Sequence, residues 1–290
     1  MLHLLALAGV LGISFSAVFV RIAAVSPVTA AFFRAAYAVP VLALVWAFSR
    51  AGDRRPPGSR AMAAGAGLML AFDLAFWHES IDLIGVGLAT VIANVQVVFV
   101  ALAAWLLHGE RLTRTVTGLI GVIALGLVLT SGLARPEAYG SAPLVGAVFG
   151  VLAGACYAGF LLGFRAANRA LGPTAGPLLD ATIGVVAGSL LVAPLDPAFS
   201  FAFVWPAHGW LIVLALVSQV AGWLLIATAL PRLPAIETSV LLLMQPIFSL
   251  CWGVVFFAER LSLIQTLGCV VVLAGVGALT RARLVSPPRL

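Results

Sequence analysis

The chain has 290 residues, of which 63% are hydrophobic and only 9% charged, with a mean hydropathy of +1.16. That leaves too little polar surface to cover a soluble domain of this size, so the sequence describes an integral membrane protein. The net charge of +6 does not indicate nucleic acid, because every basic residue is an arginine and most lie in short gaps between apolar runs, and the lack of lysine excludes the Gly-Lys-Ser/Thr phosphate loop of an ATP-driven pump.

A bilayer-spanning helix needs about 20 mostly apolar residues. Ten such spans are predicted, at 2–24, 27–48, 61–80, 84–106, 114–132, 143–165, 173–193, 208–230, 233–257 and 262–281. The first is read as a span and not a cleaved signal peptide, although Ser14-Phe15-Ser16 offers a small-x-small step. No basic residue precedes it, and its removal would leave the first half a helix short. Span two carries Arg34 and span three carries Asp73, each some way inside its outer end. Their matched depth predicts an ion pair. At the outer end of span three stand Trp77, His78 and Glu79, where an aromatic belt accounts for the tryptophan and His78 is placed to touch passing substrate.

Span four ends in the corner Glu110-Arg111-Leu112, and span nine in Glu259-Arg260-Leu261. At a constant offset of 149 residues Thr90 falls on Ser239, Gln96 on Gln245, Thr117 on Thr266 and Gly126 on Gly275. The chain therefore reads as two related halves, 1–132 and 143–281, each of five spans. An odd number of spans inverts the second half relative to the first, which supplies two similar shapes, one open to each side, as alternating access requires. Arginines set the orientation: with both termini cytoplasmic, Arg50, Arg54, Arg55, Arg60 and most others lie inside, and only Arg21, Arg135 and Arg260 face out.

Glycines mark close helix contacts. Gly146, Gly150, Gly154 and Ala158 recur every fourth residue in span six, and spans five and ten carry Gly118, Gly121, Gly126, Gly268, Gly275 and Gly277. Packing within one bundle is the expected use, and a monomer the expected state. Cys156, Cys251 and Cys269 sit in apolar runs without ligand-like spacing, so neither a disulfide, a metal site nor a cofactor is expected.

Polar side chains near mid-span need a partner, a water-filled cavity or a substrate. The candidates for substrate binding are Asn94, Gln96, Tyr157, Gln219, Trp223, Gln245 and Trp252, together with His78. Gln219 and Trp223 share a helix face at i, i+4, and Gln245 and Trp252 at i, i+7. An amide beside an aromatic ring suits a small zwitterion with an apolar side chain, while interhelical hydrogen bonding accounts for each amide equally. Pro246 removes a helical hydrogen bond and predicts a bend in span nine. Asp180, entering from the cytoplasmic side, is expected to find a Ser, Thr or backbone N–H partner, with a proton relay as the other reading. Glu237 suits the first turn of span nine. With no carboxylate clearly at the midplane, the set there is neutral, and substrate is expected to move by hydrogen bonding and stacking down its own gradient.

The Glu-Arg-Leu corners, the Gln245-Pro246 pair and the duplicated ten-span layout resemble the drug/metabolite transporter superfamily, specifically its EamA-type exporters. The likeness covers nearly the whole chain, with Val97 standing where the second half has Pro246. It implies an all-α, ten-helix secondary transporter of the bacterial inner membrane, not an enzyme, exporting small metabolites such as amino acids, including aromatic ones, through a cavity between the halves. The competing readings are an intramembrane enzyme, for which the four histidines are too scattered, and a lipid exporter or scramblase.

Overall fold

The computed structural model describes residues 2–108, 113–130, 139–167, 173–229 and 235–285, and every regular element among them is helical. In chain order these are α1 (Leu2–Ser14), α2 (Ser16–Ala23), α3 (Pro27–Ser49), α4 (Pro57–Ala93), α5 (Gln96–His108), α6 (Arg114–Thr130), α7 (Pro143–Ala167), α8 (Ala175–Val192), α9 (Ala207–Leu214), α10 (Trp223–Ala229), α11 (Ala235–Phe257) and α12 (Leu263–Val285). Among the described residues seven helices are long and apolar enough to cross a membrane, and Arg114–Thr130 and Met244–Phe257 are shorter apolar helices. The corner Glu110-Arg111-Leu112 and the Glu237 side chain lie outside the described residues.

One of the seven, Pro57–Ala103, has 47 residues. Straight, it would be roughly 70 Å long, more than twice the hydrocarbon thickness. It does not stay straight. Gly85 adopts φ 85°, ψ 169°, a conformation open essentially to glycine alone, and divides α4 into two limbs where a short loop near 81–83 is expected from the sequence. A second step falls at Asn94-Val95, between α4 and α5.

The second limb of α4 is enclosed, with Ile84, Val86, Leu88, Ala89, Val91 and Ile92 all buried. It packs against α7, whose glycine stripe faces it: a Cβ on Gly150 would lie 2.7 Å from Ile92, and one on Gly154 2.7 Å from the Ala93 carbonyl. On the first limb, Gly67 and Gly184 of α8 bring two backbones together so closely that a Cβ on either would collide with the other helix's carbonyl, at Ala181 or Ala64. Helices α6 and α12 meet in the same way through Gly126 and Gly268, whereas a Cβ on Gly118 or Gly121 would meet nothing within 4 Å. Outward-facing side chains such as Phe48, Leu191 and Leu263 are apolar and exposed, as lipid contact demands.

Helices α9 and α10 are joined by a π-helical stretch, Ala215–Gly222, that the sequence did not signal. The wider turn sets Ser218 and Gln219 inward: Ser218 donates to the Gly12 carbonyl at 2.8 Å, and Gln219 Nε2 donates to Thr182 Oγ1 at 3.3 Å. Pro246 lies within α11, which continues through it.

Candidate functional site

A cavity of about 80 Å³, roomy enough for several waters, opens between the two halves of the chain. The first half contributes Asn94 and Gln96 from the α4–α5 step, and the second contributes Tyr157 of α7, Gln219 of the π-helical stretch, Trp223 of α10 and Gln245 of α11. Six of the eight sequence-predicted residues thus line one space. Local folding aims them there. At the end of α4, Asn94 Nδ2 donates to the Thr90 carbonyl at 2.8 Å, while Gln96 opens α5 with its Oε1 buried and without a hydrogen-bond partner among the described residues. Tyr157 stacks on Phe160 at 5.7 Å between centroids, and Phe160 meets the Trp223 ring edge-on at 5.8 Å, so the two candidate rings share one support.

The other two stand apart. Trp252 Nε1 donates to Ser14 Oγ at 2.9 Å and its ring stacks on Phe15 at 4.4 Å, so Trp252 ties α11 to α1 and is not among the cavity-lining residues. His78 is 1% exposed and bonds through Nδ1 to the Pro27 carbonyl at 3.0 Å, which fastens α4 to the start of α3 away from the lining. Sharing a helix face with Gln245 did not bring Trp252 to the cavity.

Two charged residues join the lining. Arg34 and Asp73 face the cavity and make no ion pair with each other, contrary to the expectation from matched depth. The set around the cavity is therefore not neutral. Trp77 also lines it instead of serving only as a belt residue.

Each end of the molecule carries an ionic contact between the halves. At one end Glu259, after α11, accepts from the backbone N–H groups of Val86 (2.7 Å) and Gly87 (3.2 Å) and pairs with Arg21 of α2. This carboxylate caps the second limb of α4, at the bend that Gly85 makes possible. The Arg21 guanidinium also lies over the Phe257 ring, 4.4 Å from its centroid. At the other end Asp180 of α8 lies 2.9 Å from Arg55 Nη1 and 3.6 Å from Arg60, in place of the expected Ser, Thr or backbone partner. Arg55 in turn donates to both oxygens of Asp53 at 2.9 Å, and Trp46 Nε1 donates to Asp53 at 2.8 Å. Hydrogen bonds from Arg55 hold the Asp53 carboxyl far below the ordinary carboxylate range, against an opposing effect of burial.

The sequence matches the EamA-like transporter family over residues 1–132 and again over 144–281. The chain belongs to that family. An EamA-like protein of this description moves small molecules across a membrane. The chain is also similar to "Uncharacterized transporter YcbK" of Bacillus subtilis (strain 168), 29% identical over 173 residues that cover 55% of this chain and 53% of that one. It thus spans about half the length of the curated relative it matches. A solved crystal structure of a protein 18% identical in sequence superposes with a TM-score of 0.62 and covers 99% of both chains, which extends the likeness in fold to the whole EamA-like chain.

Proposed function

We propose that this EamA-like transporter exports small zwitterionic metabolites, most characteristically amino acids including aromatic ones, by alternating access between two inverted five-helix halves. The observation that carries the reading is the cavity at the junction of the halves, where amides from both (Asn94, Gln96, Gln219, Gln245) surround the Tyr157 and Trp223 rings. Amides hydrogen-bond carboxylate and ammonium alike, and the rings give an apolar side chain a surface.

The ionic contacts at the two ends support alternating access. Arg21–Glu259 and Arg55–Asp180 each join one half to the other, and the length of α3 separates them. Opening toward one side needs only one of them to part, while the other keeps the far side shut. The protein functions as a monomer in a bacterial inner membrane with cytoplasmic termini, so the Arg55–Asp180 end faces the cytoplasm. Transport itself is tested by uptake of a panel of labelled amino acids into inside-out vesicles from cells with and without the protein. Orientation is tested by single cysteines at Arg50 and Phe201 in a cysteine-free background. Labelling of position 201 but not 50 from outside whole cells is expected, and the reverse pattern overturns the orientation.

A further inference from the structure

We propose that Arg34 is the carboxylate anchor of the transported molecule and that Asp73, on the lining of the same cavity, receives its ammonium group. The assignment rests on the reading of the cavity as a substrate site and adds to it a charged pair of opposite signs. Arg34 is 3% exposed, lines the cavity, and has Nε and Nη1 buried with no acceptor among the described residues.

A guanidinium held in hydrocarbon without an acceptor is costly, and proteins avoid it unless something fills the gap. Asp73, of opposite charge, is itself only 8% exposed and lines the same cavity, yet the two side chains do not close into an ion pair. In so poor a dielectric, two opposite charges free to touch would do so. With both side chains on the lining and no ion pair closed between them, a carboxylate-binding and an ammonium-binding group are open to whatever enters the cavity. A zwitterion laid in that space satisfies both at once: the flat guanidinium fork takes a carboxylate through two parallel N–H···O bonds, and the Asp73 carboxylate accepts from an ammonium. The unpartnered Gln96 Oε1 offers a further acceptor on the same lining. The Tyr157 and Trp223 rings remain for the side chain.

The test compares binding of three probes to the purified full-length protein by calorimetry: L-phenylalanine, L-phenylalanine amide, which lacks the carboxylate charge, and 3-phenylpropanoate, which lacks the ammonium. The parent is expected to bind phenylalanine at least about tenfold more tightly than the amide, the effect of one charge-assisted pair. Arg34→Gln should abolish that preference and Arg34→Lys retain part of it, while Asp73→Asn should narrow the preference for phenylalanine over 3-phenylpropanoate. If Arg34→Gln does not fold, the parent's own preference and its reduction in Arg34→Lys decide. Equal binding of phenylalanine and its amide by the parent, an undiminished preference in the Arg34 variants, or no binding of either carboxylate probe overturns the anchor. Arg34-dependent binding of 3-phenylpropanoate without any amino acid transport leaves the anchor standing and defeats the amino acid reading. Amino acid transport without a carboxylate preference does the reverse.

Discussion

Asp180 Oδ2 lies 2.9 Å from Arg55 Nη1, and with the Asp53–Arg55 pair beside it this contact binds the α3–α4 connection of the first half to α8 of the second. Arg55 and Asp180 are both nearly enclosed, with side chains 1% and 9% exposed. Severing a buried pair leaves an uncompensated charge, at a cost of about 3–5 kcal/mol, but here Asp53 still holds Arg55. Asp180→Asn is accordingly expected to lower stability by about 2 kcal/mol in denaturant titrations in micelles. On the reading that Asp180 acts through this contact, the variant should leave any dependence of uptake on an imposed pH gradient unchanged. A gradient-driven accumulation that disappears in Asp180→Asn contradicts this.

Asp53 sets the acid limit of the same contact. Its carboxyl is held below its unfolded value near 4, so the stability it contributes is fully present above that value and is lost as pH falls through the lowered one. The destabilisation caused by Asp53→Asn should therefore stay constant from pH 8 to about pH 5 and shrink only in stronger acid. Denaturation midpoints of parent and variant measured across that range check it, and a difference that already closes between pH 8 and 6 contradicts it.

At the opposite end the two partners of the contact are unequal. The Glu259 side chain is 2% exposed and accepts two backbone N–H groups as well as Arg21, whose own side chain is 30% exposed. Removing Glu259 leaves buried donors unsatisfied, and removing Arg21 takes away a partly solvated charge. Glu259→Ala should cost about 2–3 kcal/mol and Arg21→Ala under about 1 kcal/mol. Equal losses would show that the backbone cap is not the main role of Glu259.

Gly85 resists replacement on two counts. Its φ of 85° is unfavourable for any side chain, and a Cβ there would collide with the Glu259 carboxylate and approach Tyr139 to 2.9 Å. Gly85→Ala should destabilise by at least about 2 kcal/mol through backbone strain and displacement of the cap. Gly118→Ala, at a position where a Cβ meets nothing within 4 Å, is the control and should be neutral or slightly stabilising.

Much of this was legible in the residues. Hydropathy places the apolar stretches, and rarity makes the recurrence of Gln96 at Gln245 and of Glu110 at Glu259 stand out from leucine-rich text. Mid-span depth picks out the amides and the Tyr157 and Trp223 rings that line the cavity. Depth says nothing of azimuth, however. It sets Arg34 and Asp73 level without showing that both line a cavity and form no ion pair, and it admits Trp252, whose helix turns it toward Ser14; His78, read as an outer-end residue, turns instead toward Pro27. The partner of Asp180 was hidden for another reason: Arg55 sits in a gap between spans, where arginines are read as solvated markers of orientation, yet it folds back under α8. Nothing in the residues around Gln219 signals the π-helical turn there.

The most direct test of the central claim, that substrate passes through the cavity between the halves, is counterflow of labelled phenylalanine and leucine in proteoliposomes for the parent, Tyr157→Ala and Trp223→Ala. The account predicts counterflow by the parent. It also predicts that each variant, still folded by thermal denaturation, loses most phenylalanine flux and less leucine flux, because a stacking surface is gone. Absence of counterflow in the parent, or equal flux in all three proteins, would contradict it.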